Sequence, residues 1–524
     1  MKTTTIDWQA WLAKYLDDDQ QTPLSIDSQI VVGQAVLDES PDFVARWLDF
    51  VAQESGQFTS HDALITEHEL NQFTRPSAGL FAAKPNAYRE LKSRQMILDV
   101  ATNPTGYTAL VDYVTGGTLR QFLSSPVPLF LDERKRAKHS FVAGSSGSGK
   151  SEYLKGIIYE YITRRPNDCI VIIDPHGELA YQVAKWPEVA LLGRLALIDP
   201  SLIAGYTPAF NPLEIDSDPL TLEVILNQLF QSITTVLGAD NQFSDTMSAL
   251  LKPIVKYLLL REEPSSLDHL MQFVLGNETM RDEALQVLPN VNDRAYLEAN
   301  FGSAGNRVES IGVTKHSIQT RLQQLLGEDV FRAFTCSASS FDLEDLIRQS
   351  KVIIFSLKET SGSNRFSPMN AIGRFIFAQL LSIVMKKDHP RFRGNPLPPI
   401  HAFVDEAHNY TIPAVKTVLA EARKYQLYLT LATQTIKNFT DQDIRGGVLK
   451  NCFVKFAGFQ PNGVTDNASL VGVSPNDVTS LRKGEFYVSP GDLPRFKVRG
   501  RADLLGESHS VSAGQWQEVL EEQK

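Results

Sequence analysis

Residues 141–151 read Phe-Val-Ala-Gly-Ser-Ser-Gly-Ser-Gly-Lys-Ser, and no other segment constrains the chain as much. Every fixed position of the pattern Gly-x4-Gly-Lys-Ser/Thr is filled. An apolar run precedes it, and a stretch of helical character, 152–163, follows before Pro166. The spacing has a physical cause. Gly144, Gly147 and Gly149 let the backbone curl until its N–H groups point inward, a nest of donors for phosphate oxygens. The helix that follows adds the positive end of its dipole. The loop Gly144, Ser145, Ser146, Gly147, Ser148, Gly149, Lys150 and Ser151 is therefore expected to hold ATP. In it Lys150 reaches the β- and γ-phosphates and the Ser151 hydroxyl ligates Mg²⁺. The bland alternative is a Ser/Gly turn that only joins a strand to a helix; the complete pattern with both flanks favours the phosphate loop.

Such a loop works with a strand that ends in acid. The run 399–406, Pro-Ile-His-Ala-Phe-Val-Asp-Glu, supplies one. Asp405 is expected to hold the magnesium through its water shell, and Glu406 to orient or deprotonate the attacking water. Alone this pattern is weak, since many strands end in acids that cap the next helix. Paired with the loop it becomes specific. Gln434, after the apolar run 428–432, can contact the γ-phosphate or the lytic water. Arg423 is either an arginine finger, whose planar fork stabilises charge developing on phosphate, or a surface helix cation paired with Glu421. His176 and His408 read as ordinary polar contacts near phosphate loops.

The rest of the chain alternates short apolar runs with helical stretches. Runs at 140–143, 169–174, 195–199, 352–357, 400–405, 428–432, 453–458 and 485–488 are expected as strands of a parallel sheet covered on both faces. Between about 216 and 345 the alternation stops. Segments 220–237, 245–260, 266–275 and 318–326 look like amphipathic helices, an all-α insertion (216–345) within an α/β domain (126–215 and 346–505). Residues 1–125 read as mostly helical, and 506–524 as a short acidic tail. With 524 residues, 43% hydrophobic and 21% charged, the chain excludes a mainly disordered or fibrous protein. Cys169, Cys336 and Cys452 form no CxxC pair, so a reducing compartment is the simplest expectation. No signal peptide and no apolar stretch of about 20 residues is visible.

Taken together, the motifs resemble the FtsK–HerA group of DNA-pumping ATPases, and within it the TraG/TraD-like coupling proteins of conjugation and type IV secretion. The segments that carry the likeness are 139–144 leading into the loop, Ile172-Ile173-Asp174-Pro175-His176-Gly177-Glu178, Asn211-Pro212-Leu213, Asp405-Glu406-Ala407-His408, 421–425, Ala432-Thr433-Gln434-Thr435 and Leu481-Arg482-Lys483-Gly484-Glu485-Phe486-Tyr487-Val488. They cover about 130–500. The resemblance implies a RecA-like P-loop ATPase domain with a mostly parallel sheet, interrupted by the all-α insertion and preceded by the mostly helical N-terminal region. It also implies a homo-oligomeric ring, a hexamer, with ATP at subunit interfaces and Arg423 acting in trans. Coupling proteins of this kind begin with transmembrane helices, and this chain shows none.

The expected function is an ATP-driven DNA translocase or coupling protein. Two readings stand beside it: a secretion-assembly ATPase acting on protein substrates, and a cytosolic HerA-like motor in repair or defence. DNA, single or double stranded, is the expected partner, with type IV secretion or relaxosome proteins docking on the N-terminal region. The expected location is cytoplasmic, peripheral at the inner face of the membrane through a partner. The net charge of −10 argues against coating nucleic acid with the whole surface. The first hundred residues are the most acidic, with 8 Lys/Arg against 15 Asp/Glu. Two basic clusters remain as candidate DNA contacts: Arg134-Lys135-Arg136-Lys138, and Arg495, Lys497, Arg499 and Arg501 at period two on one strand face. The plainer reading of both is a solvated loop and a charged edge strand.

Overall fold

Six all-buried or nearly all-buried runs rich in Ile, Val and Leu organise the larger part of the described chain. The computed structural model describes residues 29–35, 127–132, 139–200, 207–214, 226, 230, 244–302, 309–358, 367–386, 397–410, 415, 419–421, 425–461, 464–489, 496–500 and 509–523. Its strands are β1 (Gln29–Ala35), β2 (Val127–Asp132), β3 (Ser140–Ala143), β4 (Cys169–Asp174), β5 (Leu195–Ile198), β6 (Val352–Ser356), β7 (Ile400–Val404), β8 (Leu427–Thr433), β9 (Val454–Gly458), β10 (Glu485–Ser489) and β11 (Phe496–Arg499). The chain divides into two compact units. One is drawn from Met1–Arg136, Ala143–Arg164 and Phe453–Leu505, the other from Ala137–Val142, Arg165–Cys452 and Gly506–Lys524.

In the second unit the strands lie in the order β3-β8-β7-β4-β6-β5. The pairs β7·β8, β4·β7, β4·β6 and β5·β6 are all parallel, with Ile172 of β4 opposite Ile354 on one side and Phe403 on the other. Every residue of β3 to β7 is buried. That is what continuous apolar runs predict when crossover helices cover both faces of a parallel sheet. Helices Glu178–Ala184 after β4 and Pro368–Lys386 between β6 and β7 are two of the covers. One strand, β8, separates β3 from β7.

Between about 216 and 345 the described elements are helices: Asp245–Leu260, Leu267–Val274, Glu278–Val287, Val291–Phe301, Glu309–Leu326 and Asp329–Cys336. Tyr257, Phe273 and Phe301 meet in series among them, Tyr257 tilted against Phe273 and Phe273 edge-to-face with Phe301, at 5.5 and 5.2 Å between ring centroids. The chain enters and leaves this bundle through paired stems. Phe210 N donates to Phe334 O, Ser340 N to Ala209 O, and Phe210 stacks on Phe341 at 5.4 Å. Asn211 fixes the entrance, its Nδ2 donating to Ser265 O at 2.6 Å and its Oδ1 accepting from Leu213 N.

The first unit departs from the parallel expectation. Its strands lie in the order β2-β1-β11-β10-β9, and β1·β2, β1·β11, β10·β11 and β9·β10 are all antiparallel. Only residues 490–495 separate β10 from β11, far fewer than the dozen or so that a parallel crossover needs. Strand β1 also lies within a segment expected as mostly helical; its run Ile30-Val31-Val32 is β-branched and favours extended backbone. Apart from β1, residues 1–125 lie outside the described residues. The helix Lys150–Arg164 buries Tyr153 against Phe456 and Phe486, with centroids 5.3 and 4.4 Å away.

The segment expected as an acidic tail contains a folded helix, Ala513–Glu522, opened by a Ser512/Gln515 capping box. Lys185 lies over its Trp516 ring at 5.5 Å. Gln523 then imitates a strand: its Oε1 accepts from Leu197 N at 2.9 Å and its Nε2 donates to Leu195 O at 3.4 Å. The side-chain amide thus occupies the backbone groups of β5, the last strand of its sheet. The three cysteines are free. Among the described residues no helix is long and apolar enough to cross a membrane.

Candidate active site

Strand β3 runs straight into the glycine loop, and the helix that follows begins at Lys150. Gly147 and Gly149 sit at φ 79° and 88°, backbone that residues with a Cβ enter only under strain. The loop is tied down at several points within the first unit. Ser145 N and Oγ both donate to Phe459 O, at 3.0 and 2.9 Å. Ser148 N donates to Ser145 O at 3.1 Å, and Gly484 N donates to Ser148 O at 2.8 Å. Gly484 therefore belongs to the site's support. Its signal in the sequence was a Lys-Gly-Glu turn before an apolar run, quoted above only for family likeness.

The turn that carries Gly484 is itself held by Glu485, whose carboxylate is buried to 1% exposure. It accepts from Arg482 N at 2.9 Å, from Arg499 Nη2 at 2.8 Å and from Lys497 Nζ at 3.1 Å. Burial by itself would push the Glu485 carboxyl up. The Arg482 N–H, then Arg499 and Lys497, outweigh it and hold the group below the usual carboxylate range. Two of the four period-two cations thus do share a strand face, and both serve Glu485. Arg495, Arg501 and the 134–138 cluster lie outside the described residues.

The loop suits a phosphate. The Ser148 hydroxyl is buried and has no hydrogen-bond partner within the protein, although buried hydroxyls almost always find one. A Cβ at Gly144 would come within 2.6 Å of that oxygen, so the glycine keeps the space around it open. Ser146 and Gly147 form the exposed rim, and Lys150 is buried at the first turn of the helix, with Ser151 half-buried beside it. A buried hydroxyl and a lysine amine at a helix N-terminus are donors with charge complementary to a polyphosphate.

The acidic residues stand in the second unit, past the end of β7. Asp405 is buried; its N donates to Ile173 O at 3.0 Å, and its Oδ1 accepts from Glu406 N at 2.9 Å. Glu406 then takes φ 43°, ψ 48°, a left-handed conformation costing about 1–2 kcal/mol for a residue with a Cβ. The short 3-10 turn Ala407–Asn409 follows, and Arg374 Nε donates to Asn409 O at 2.8 Å. His408 Nδ1 lies 3.0 Å from Thr433 Oγ1 and 3.5 Å from Glu406 Oε2. Gln434, next after Thr433, is exposed at the end of β8. Asp174 closes the neighbouring strand β4. Its two oxygens accept from His176 N and Ala180 N, both at 2.9 Å, which shapes the turn through Gly177. Burial, reinforced by the neighbouring Asp405 charge, pushes the Asp174 carboxyl up despite those two donors.

Of the residues singled out from sequence, 144–149 form a loop and Lys150 and Ser151 open the helix after it, all in the first unit, while Asp405, Glu406 and Gln434 lie beside His408 and Thr433 in the second. Arg423 lies outside the described residues. The Asp405 carboxylate and the Ser151 hydroxyl each carry a hard oxygen of the kind that Mg²⁺ takes.

The family described as Type IV secretory system Conjugative DNA transfer matches residues 95–448, more than half of the chain. A comparison with curated proteins gives no match. Among solved structures the chain resembles the plasmid coupling protein TrwB in complex with the non-hydrolysable ATP analogue ADPNP. The identity is 16% and the TM-score 0.51, over 72% of this chain and 88% of that one. TrwB in complex with ADP and Mg²⁺ gives the same figures. The unbound monoclinic form of TrwBdeltaN70 follows at 15% identity and TM-score 0.51, over 72% and 87%. At such identity the likeness is one of fold: a mostly parallel sheet covered by helices, with the glycine loop leaving one strand and the acids another.

Proposed function

The chain belongs to the type IV secretory system conjugative DNA transfer family, and on that premise we propose that it is a coupling ATPase that hydrolyses ATP with Mg²⁺ and uses the cycle to move DNA. The observation that carries this is the folded loop 144–151, with a buried Ser148 hydroxyl that no protein group satisfies. TrwB, of similar fold, is bound to ADPNP and to ADP with Mg²⁺, which supports the same ligands here.

In the proposed reaction, loop 144–151 and the acids after β7 act on one triphosphate. Loop N–H groups and the Ser148 hydroxyl hold phosphate oxygens, and Lys150 offsets the charge on the β- and γ-groups. Ser151 and Asp405 would hold Mg²⁺, which when bound draws negative charge off the phosphates. Glu406 orients the attacking water and takes its proton as the bond to the γ-phosphorus forms; ADP leaves with the electron pair of the broken P–O bond. Gln434 contacts the water or the γ-phosphate. Arg423 serves a neighbouring subunit of a hexameric ring, so that hydrolysis at one interface is felt by the next. The acidic N-terminal region docks on a secretion or relaxosome partner, holding the motor at the membrane's inner face.

The test is ATP turnover with and without single- and double-stranded DNA, alongside mass measurement in solution. DNA should raise the rate, and its binding should weaken steeply with salt, as phosphate neutralisation requires. Lys150→Ala should lose hydrolysis and most nucleotide affinity, while Glu406→Gln and Arg423→Ala lose hydrolysis and keep binding. Normal turnover by Lys150→Ala would end the assignment. An ATPase indifferent to DNA but stimulated by a secreted protein would replace DNA as the cargo.

A further inference from the structure

His408 looks like a bystander in the sequence, one more polar residue near a phosphate site. Its surroundings give it a narrower part. One atom, Nδ1, faces two oxygens at once, Thr433 Oγ1 at 3.0 Å and Glu406 Oε2 at 3.5 Å. Those oxygens belong to the ends of two adjacent parallel strands, β7 and β8. One precedes Gln434 by a single residue, and the other is the carboxylate assigned to the attacking water. Among the described residues, Glu406, His408, Thr433 and Gln434 are thereby joined in one short path.

The backbone around the ring is closely held, so the ring itself has little freedom. Ala407 and Tyr410 are fully buried. Asn409 O accepts from Arg374 Nε at 2.8 Å, and Asn409 N donates to Glu406 O at 2.9 Å. Arg374 is half-buried, and desolvation pulls its pKa down, yet it still anchors this turn from helix Pro368–Lys386. Thr433 is fully buried. Glu406, by contrast, sits on strained left-handed backbone. Strain of that sort persists only where surrounding contacts over-determine it, and it collects at working groups. A glutamate side chain has three rotatable bonds; something must choose the rotamer that meets water.

We propose that His408 is a positioning residue, which through Nδ1 fixes the Glu406 carboxylate relative to Thr433 and so ties the water-activating group to the strand end bearing Gln434. The hydrogen bond between Nδ1 and Thr433 Oγ1 keeps the ring from rotating away and so holds the imidazole 3.5 Å from Glu406 Oε2, where it limits the positions that carboxylate can take. A shift of Gln434 on loss of the γ-phosphate would move Thr433, and the imidazole would carry that shift to Glu406. This rests on the assignment of Glu406 made above.

The experiment is steady-state ATP turnover by the full chain, with nucleotide affinity measured separately, for His408→Ala, His408→Asn, Thr433→Val, the His408→Ala/Thr433→Val pair and Glu406→Gln. His408→Ala should lower kcat about 10- to 100-fold, the range that small misplacements of reacting groups produce, with KM and affinity changed less than about twofold. His408→Asn places an amide near the Nδ1 position and should recover part of the rate, which a loss of packing alone would not allow. Thr433→Val, similar in volume, should lower kcat less, and the double variant should match His408→Ala, since both act through one contact. If wild type hydrolyses ATP, Glu406→Gln does not, and His408→Ala runs at the wild-type kcat, the positioning role is overturned while the site stands. If Glu406→Gln hydrolyses normally, the failure belongs to the site assignment instead. A His408→Ala protein with equal losses in kcat and affinity, or one that His408→Asn fails to rescue, would reduce His408 to packing.

Discussion

Gly149 and Gly484 meet so closely that Gly149 has no room for a side chain. A Cβ on Gly149 would lie 2.8 Å from Gly484 N and 2.9 Å from Gly484 Cα, closer than any Cβ normally comes to backbone. The two residues are 335 positions apart in sequence. The glycine before the loop lysine thus has two tasks: to adopt left-handed backbone, and to let a distant turn seat itself against the loop.

The two glycines should respond unequally to alanine. Gly149→Ala meets both strain and backbone, and should cost about 3 kcal/mol or more, together with nucleotide affinity. A Cβ on Gly484 meets nothing within 4 Å, so Gly484→Ala suffers only the strain of φ 82°, about 1–2 kcal/mol. Denaturant midpoints of the two variants decide it; equal losses would contradict the close approach.

Ser148→Ala should separate stability from binding. No protein hydrogen bond is lost with that hydroxyl, so the nucleotide-free protein should change by less than about 1 kcal/mol, in either direction. Affinity for an ATP analogue should fall about tenfold, roughly 1.4 kcal/mol, because a donor to phosphate is gone. Thermal melts with and without nucleotide would reveal both effects. An equal loss in both states would mean that the hydroxyl is structural.

Glu485 should leave a pH signature. Its folded-state pKa is held low by Arg482 N–H, Arg499 and Lys497 against the push of burial. A depressed carboxyl stabilises the fold above its unfolded pKa, about 4.3, and loses that contribution as pH falls through the lower folded value. Glu485→Gln should therefore cost about 2 kcal/mol at pH 7. The gap to wild type should begin to close below about pH 4.3. Urea midpoints of both proteins from pH 7 down to pH 3 test this; a gap that widens on acidification would reverse the sign.

Asn467, on helix Val464–Val471, is fully buried, and neither side-chain polar atom has a hydrogen-bond partner. Replacing an unsatisfied buried amide by an apolar group of similar shape removes a desolvation cost of about 1–3 kcal/mol. Asn467→Leu should accordingly raise the melting temperature, by about 1 °C for each kcal/mol in a protein of this size. A lower melting temperature would mean that the site cannot take the added branch.

Much of the site was readable because its chemistry is local. The loop 144–151 carries its glycines, lysine and serine within eight residues, and strand-then-acid at 400–406 needs only neighbours to be recognised. The second half of the sheet was harder. Residues 485–488 show an apolar run but not its direction, and antiparallel pairing depends on connection length and on which partner is free. Lys497 and Arg499 show the same limit. Their alternation placed them on one face correctly, yet a cationic stripe has the same sequence whether it meets DNA or one buried glutamate.

What the sequence determined alone is the set of short-range rules: where backbone must curl, which runs must be buried, which acids end a strand. These follow from φ/ψ sterics and side-chain hydrophobicity over a few residues. What only the tertiary structure decided are the partnerships between residues far apart in sequence, across hundreds of residues for Gly149 with Gly484, Ser145 with Phe459 and Gln523 with β5, and between neighbouring strand ends for His408 with Thr433. Such pairs depend on a few tenths of an ångström of packing and on donors meeting acceptors in space, and a linear order of residues carries neither distance nor direction.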